Sequence, residues 1–289
     1  MNHTLVLTAA LGALHDDAVT AASKIASGTP HWLSPGTACE FRDADPAVLA
    51  AVRTALGGHK VDANVIPIAH RRKRLLIADM DSTIIGCECI DEIADFAGIK
   101  PQIAAVTERS MRGEIPFESA LRERVALLKG LPEGTLGRVF KERVRLNDGA
   151  RILVRTMSEA GAKTALISGG FTIFTSRVAD AAGFATHRAN ELGIEDGKLS
   201  GTVGEPILGR EAKLQALIAL AHEGGIDIKE TLAIGDGAND LGMITAAGLG
   251  IAYRAKPIVA EAAHARLDHS DLSAALYLQG FRETELVLD

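Results

Sequence analysis

Leu75-Leu76-Ile77-Ala78-Asp79-Met80-Asp81-Ser82-Thr83 is the stretch that decides the fold of this chain. A strongly apolar strand ends in a polar turn, the mark of a strand in a parallel sheet covered on both faces. Two carboxylates, one residue apart, stand where the backbone leaves the sheet. A helix N-cap with surface acids accounts for one aspartate there. It does not account for two, because a charge behind so apolar a strand costs several kcal/mol unless a cation or hydrogen bonds match it.

Working outward, Thr164 to Ile167, Thr231 to Ile234 and Gly250 to Ala252 repeat the texture. Each apolar run ends in a polar or glycine-rich turn before a helix, so these are βα units of one parallel sheet. In such sheets ligands bind beyond the carboxyl ends of the strands. About 85 residues separate the first two strands, far more than a crossover helix needs. The excess reads as inserted helices at Asp91 to Ala97, Gln102 to Arg112, Phe117 to Leu128 and Pro132 to Val144, broken by Gly98, Gly113 to Pro116 and Gly130 to Pro132. Asp148-Gly149 returns the chain to the sheet. A helical insertion on two short connections over that edge forms a lid. Ala189 to Pro206, around Asp196-Gly197, reads as a β-hairpin.

Upstream, to about residue 70, the pattern is a β-rich run Thr4 to Thr8, a helix Asp16 to Ala26, a strand Ala38 to Phe41, a helix Pro46 to Leu56 and a strand Ala63 to Ile66 stopped by Pro67. This is a small α+β module without a convergent polar motif. The boundaries expected are 1–70 for the module and 71–289 for the rest, with the cap inserted at about 87–148.

Composition bounds the function classes. The 289 residues carry 37 acidic and 31 basic side chains, a formal charge of −6, and are 47% hydrophobic and 24% charged. That excludes wholesale disorder and fibrous repeats and argues against a nucleic-acid partner. The short basic run Arg71-Arg72-Lys73-Arg74 reads as a solvated linker. No apolar run reaches the roughly 18 residues that span a bilayer, and Met1 to Ala10 lacks a secretory signal, so a cytoplasmic protein is expected. Cys39, Cys87 and Cys89 are an odd number in a long chain and are read as reduced thiols.

The other strand ends carry matching chemistry. Ser168-Gly169-Gly170 exposes backbone N–H groups at the opening of the next helix, a cradle for an anion. Gly235-Asp236-Gly237-Ala238-Asn239-Asp240 supplies another carboxylate pair with glycines that allow close approach. A dinucleotide site is disfavoured there, since Asp236 would repel pyrophosphate and the third glycine is missing. Lys213 lies in the first turns of a helix from Gly209 to Ala221. Three carboxylates at one sheet edge repel unless a hard cation is present, and Mg²⁺ is the natural occupant. The serine, amides and lysine suit phosphoryl oxygens, which together points to phosphoryl transfer through an aspartyl-phosphate. Cys87-Glu88-Cys89 has no second ligand pair, the nine histidines show no metal-ligand spacing, and no Gly-x-Ser-x-Gly elbow or Gly-Lys-Ser/Thr loop occurs.

The order Asp-Met-Asp-Ser-Thr, Ser-Gly-Gly, Lys and Gly-Asp-Gly-Ala-Asn-Asp resembles the haloacid dehalogenase superfamily of phosphatases over about residues 74 to 280. Asp79 to Glu88, Ile90 to Ala94, Phe117 to Val125 and Leu166 to Phe171 resemble its phosphoserine phosphatase branch. The resemblance implies an α/β fold: a doubly wound, Rossmann-like parallel sheet with an inserted helical cap, here behind a small α+β N-terminal domain. It implies that Asp79 is the nucleophile and that Asp81 protonates the leaving serine oxygen and then activates water. Mg²⁺ would be held by Asp79, by Asp81 through its main-chain carbonyl or its neighbour's, and by Asp236, with Asp240 and Asn239 supporting. Ser168, Gly169 and Lys213 would hold the phosphate, Glu88 would face the substrate ammonium, and Arg124 its carboxylate. Met111 and Phe117 would exclude water. The implied substrate is the small molecule O-phosphoserine, at the end of serine biosynthesis.

Two alternatives stay open. The same site could dephosphorylate another small phosphate or pass the phosphoryl group to an alcohol. A regulatory protein with a vestigial phosphatase half is the other, and the intact Asp79 and Asp81 argue against it. The first 70 residues weakly resemble an ACT-type domain, which would bind serine or mediate a homodimer, though no residue can be named for either.

Overall fold

In the computed structural model, which describes residues 2–112 and 114–288 with the side chain of Met111 left aside, the chain begins with a small antiparallel sheet. Its elements are β1 (His3–Ala9), α1 (Asp16–Ala26), β2 (His31–Ser34), β3 (Ala38–Arg42), α2 (Leu49–Ala55) and β4 (Val61–Pro67), with the strands in the order β2-β3-β1-β4. Asp16 and Asp17 in the first turn of α1 and Lys24 in its last suit the helix dipole. One face of this sheet buries Leu5, Leu7 and Phe41 under α1 and α2.

The larger sheet is parallel and is built from β5 (Leu75–Ala78), β6 (Lys163–Phe171), β7 (Thr186–Asn190), β10 (Thr231–Gly235), β11 (Leu249–Tyr253) and β12 (Ala265–Leu267) in the order β12-β11-β10-β5-β6-β7. Every residue of the central β5 is fully buried, as its unbroken apolar run requires. Between β5 and β6 stand α3 (Cys89–Phe96), α4 (Lys100–Met111), α5 (Phe117–Leu127) and α6 (Gly134–Arg143), then α7 (Ala150–Glu159). After β6 come α8 (Thr172–Ala182) and the hairpin β8 (Leu192–Glu195) and β9 (Lys198–Val203), closed by Asp196 and Gly197, both at positive φ. The chain continues with α9 (Arg210–Glu223), α10 (Leu241–Ala246), α11 (Pro257–Ala262) and α12 (Ala274–Leu278). No helix among the described residues is long and apolar enough to cross a membrane.

Three strands have no counterpart in the sequence reading: β2, β7 and β12. All lie at sheet edges and are short or polar, so neither alternation nor an apolar run marks them.

The second face of the small sheet, through Val6, Leu33, Ala38 and Ile66, joins the same apolar cluster as Leu272 to Phe281 of the larger body. At the sheet edge, side chains of β4 take the place of a neighbouring strand for β12. Asn64 donates its Nδ2 to the Arg266 carbonyl at 2.9 Å and accepts from the Arg266 N–H at 2.9 Å. The buried Asp62 carboxylate accepts from the backbone N–H groups of Asp268, His269 and Ser270.

The basic run after β4 is not a solvated linker. Arg71, its side chain 15% exposed, pairs with Glu40 at 2.7 Å and donates to the carbonyls of Leu278 and Tyr277. Arg72 lies over the Phe281 ring, and buried Lys73 donates to the Lys229 carbonyl at 2.6 Å. Each cation meets an acceptor of the larger body, so the run fastens the junction.

Candidate active site

The backbone N–H of Asp79 continues the parallel ladder by donating to Ile234, and the chain then leaves the sheet in an irregular turn. Asp81 is extended, Ser82 has φ 56° and ψ 0°, and the Ile85 N–H closes back on the Met80 carbonyl. The turn brings Asp79 and Asp81 onto one cavity of about 780 Å³. Asp79 Oδ1 accepts from the Met80 N–H at 2.7 Å and lies 2.7 Å from Lys213 Nζ. Asp79 Oδ2 accepts no hydrogen bond found among the described residues.

Lys213 is fully buried. It sits on the face of α9 that carries Leu217 and Leu220 toward the sheet, one turn nearer the strand ends, so helix geometry drives it under the cavity floor. Its Nζ also lies 2.6 Å from Asp240 Oδ1, while Asp240 Oδ2 accepts from the Gly237 N–H. A Cβ on Gly235 would fall 2.5 Å from Asp240 Cγ, so glycine is what admits the carboxylate. Asp236 Oδ1 accepts from Thr83 Oγ1 at 3.1 Å.

Asp79, Asp236 and Asp240 each offer a carboxylate oxygen within 4.8 Å of the others. Three carboxylates against one ammonium leave an excess of two negative charges in a buried place. The cost falls on Asp79 and Asp236. Burial, and Asp240 close by, push Asp79 well above the usual carboxylate range and Asp236 up to about 6. Burial disfavours the Lys213 charge, but Asp240 and Asp79 outweigh it and hold the ammonium protonated. Hard oxygens with surplus negative charge fit a divalent cation such as Mg²⁺.

The Asp81 carboxylate is outside this trio. Its Oδ1 accepts from the Cys89 N–H at 3.0 Å, the first residue of α3, so the start of the lid holds it. Burial, with Glu88 nearby, pushes Asp81 up to about 7. Glu88 accepts from Ser82 Oγ at 2.7 Å. On the sheet side, Ser168 Oγ accepts from the Gly170 N–H at 2.8 Å. These residues belong to the bulged end of β6 rather than to the opening of the next helix, which begins at Thr172. A Cβ on Gly170 would come within 2.8 Å of Asp81 Oδ2, and one on Gly169 within 3.3 Å of the Phe117 ring.

Four arginines of the lid compete for attention in the sequence. Arg109 pairs with Glu123, Arg112 with Glu108 and Glu114, and Arg122 with Glu205, all on the surface. Arg124 alone of the four lines the cavity, half-buried, its Nη1 at 3.5 Å from Thr107 Oγ1. It has no carboxylate within ion-pair distance among the described residues. Burial disfavours its charge, and Asp91, Glu88 and Asp81 offset part of that. Phe117 and Asn239 also line the cavity. The side chain of Met111, expected to help exclude water, lies outside the described residues.

Sequence reasoning missed Arg210, Lys256 and Thr107, which line the same cavity. Lys256 could have been found by the strand-end rule, since it follows β11 and its N–H donates to the Asp236 carbonyl. Arg210 opens α9 one turn before Lys213. Thr107 carries no signal in the sequence.

The arrangement can hold a cation at one end, a phosphoryl group over Asp79 and a small polar body between Glu88 and Arg124. A family model described as haloacid dehalogenase-like hydrolase matches residues 76–245. A phosphoserine phosphatase of Streptomyces coelicolor is 43% identical over 260 residues, covering 87% of this chain and 62% of that protein, so the chain spans about three-fifths of that relative's length. One from Polaromonas sp. is 46% identical over 210 residues, covering 71% of this chain and 89% of that protein. The crystal structure of a probable phosphoserine phosphatase from Vibrio cholerae, in unliganded form, superposes with a TM-score of 0.82 at 31% identity, covering 98% of this chain and 88% of that one.

Proposed function

Because the chain belongs to the haloacid dehalogenase-like hydrolase family, we propose that it hydrolyses O-phosphoserine to serine and phosphate. The observation that carries the reading is the cavity's polarity: an aspartate pair at the strand end below, and above it Glu88 with Arg124, which has no carboxylate within ion-pair distance among the described residues. A small zwitterion is best held by one opposite charge at each end, and a planar guanidinium suits a carboxylate. The names of the similar proteins agree with this substrate.

Asp79, Asp236 and the main chain near Asp81 would hold Mg²⁺, with Asp240 and Asn239 supporting. When bound, the cation would offset the negative charge gathered on the phosphoryl oxygens. Asp79 Oδ2 attacks phosphorus, and the bond from phosphorus to the serine oxygen breaks. Asp81 gives its proton to that oxygen. Serine leaves, and the Asp81 carboxylate takes a proton from a water that attacks the aspartyl-phosphate, breaking the bond to Asp79 and releasing phosphate. The Cys89 N–H fixes Asp81 for both transfers, and Ser168 with the Gly169 amide receives the phosphoryl oxygens. Glu88 and Arg124 orient the amino acid while Phe117 excludes bulk water. A serine product suits the last step of serine biosynthesis.

Phosphate release with and without Mg²⁺ tests the reading, using O-phosphoserine beside phosphoethanolamine, which lacks only the carboxylate. A strong Mg²⁺-dependent preference for phosphoserine is expected, and Arg124→Met should erase it. Equal rates on both substrates with the parent protein would remove the substrate assignment and leave a general phosphomonoesterase.

A further inference from the structure

A second cavity, of about 130 Å³, lies where the small sheet meets the larger one and shares no lining residue with the first. Arg53 enters it from α2 and His59 from the loop that follows, while Arg266 comes from β12 and His269 from the loop beyond. Arg53 is half-buried, and its hydrogen bonds go to neutral oxygens: Nε to the Ala63 carbonyl at 3.0 Å and Nη2 to Asn64 Oδ1 at 3.2 Å. Its Nη1 donates to no acceptor found among the described residues. Burial, and then the nearby charge of Arg266, disfavour the charged form of Arg53, and Asp268 and Asp62 offset part of that.

Two acids, Asp62 and Asp268, face the two guanidinium groups, yet among the described residues neither carboxylate lies within ion-pair distance of Arg53. Both oxygens of Asp62 are taken by the N–H groups of residues 268–270. Asp268 is exposed and makes only a loose pair with Arg266, at 3.4 Å.

We propose that this cavity binds a small oxyanion, a phosphate or carboxylate group, bridging Arg53 of the N-terminal module and Arg266 of the larger sheet. Arginine presents paired N–H donors that match such groups, and His59 and His269 stand at the rim to donate further. A water takes about 30 Å³ in the liquid, so the space corresponds to about four waters. It admits a tetrahedral anion or a short carboxylate. Because its two arginines belong to different modules, the bound ion ties them together and stabilises their docking by linkage. The site is independent of the reaction proposed above.

The test uses the full chain with ¹⁵N-labelled histidine, titrated with phosphate, sulfate and malonate at ionic strength held constant with chloride. The His59 and His269 ring resonances and the unfolding temperature are followed together. Saturable shifts of both rings with a rise in unfolding temperature are expected, and Arg266→Gln should weaken the binding by about tenfold or more. Hydrolysis in chloride should be unchanged by that variant. A response to phosphate and sulfate alone assigns tetrahedral ions, and an equal response to malonate assigns carboxylates as well. Binding in the first cavity leaves these rings unmoved. Arg53→Gln is the companion variant, and since Arg53 also braces Asn64, the partly exposed Arg266 decides the matter if that protein does not fold. Rings unmoved by all three anions, or undiminished affinity in Arg266→Gln, overturns the proposal.

Discussion

Replacing Lys213 with methionine keeps the side-chain volume and removes the cation that lies 2.7 Å from Asp79 and 2.6 Å from Asp240. Two carboxylates are then left facing each other, with Asp236 beside them, at a place where Lys213 is wholly shielded from solvent. Removing one partner of a buried ion pair costs about 3–5 kcal/mol. Since one ammonium here serves two acids, the upper part of that range is expected. At about 2 °C per kcal/mol for a chain of this size, unfolding in the presence of a chelator should move down by roughly 8–10 °C. Adding Mg²⁺ should recover part of the loss, because a cation bound among the same carboxylates favours the folded form. Asp240→Asn in the Lys213→Met background should also raise the unfolding temperature, since it neutralises one of the stranded charges. Circular dichroism melts of the parent, single and double variants settle the point. A single variant melting within about 2 °C of the parent, or a double variant melting below the single, would refute the charge argument.

Three further outcomes are expected. Gly170→Ala puts a methyl group where it must displace Asp81 or Ser168, so phosphate release should fall by about 100-fold with little change in unfolding temperature; retained activity would show that neither group needs its present place. Asp79→Asn should abolish turnover while melting no lower than the parent in chelator, because it relieves repulsion with Asp240; near-normal release at saturating Mg²⁺ would exclude Asp79 as the nucleophile. Burial alone would raise the Glu40 carboxyl, but its bonds to Arg71 and Arg42 win and hold it below 4.5. A depressed folded value means stability that is present above 4.5 and lost as pH falls through the folded value. Glu40→Gln should therefore cost about 1.5–3 kcal/mol near neutrality, and the gap should close on acidification; a gap constant through the acid limb would exclude the pair as its source.

The central strands were legible because burial on both faces leaves no polar residue to break the run, and the aspartates at their ends stand out against that background. The lid helices were legible from their glycine and proline breaks. What the sequence hides is anything that depends on two distant segments meeting. Asp62 and Asn64 look like ordinary strand-face polar residues until β12 is placed beside them. Arg71 looks solvated until Glu40 and the Leu278 carbonyl arrive. Lys213 could be singled out as cationic, yet its position between Asp79 and Asp240, beneath the cavity rather than in its lining, follows only from the packing of α9. Arg124 was separable from its neighbours only by resemblance, whereas in three dimensions the other three are already paired on the surface.

The shared apolar cluster has a consequence for how the protein is made. The inner face of the first sheet, with Val6 and Ile66, is covered by α12 and its flanks, which are translated long after it. About 200 residues lie between Ile66 and Ala274. At about 5–20 residues per second, that sheet waits roughly 10–40 s for its cover. The small sheet is thus completed only when a segment about 200 residues downstream has been made, and the exposure of its uncovered face during that interval concentrates the hazard of misassembly in nascent chains.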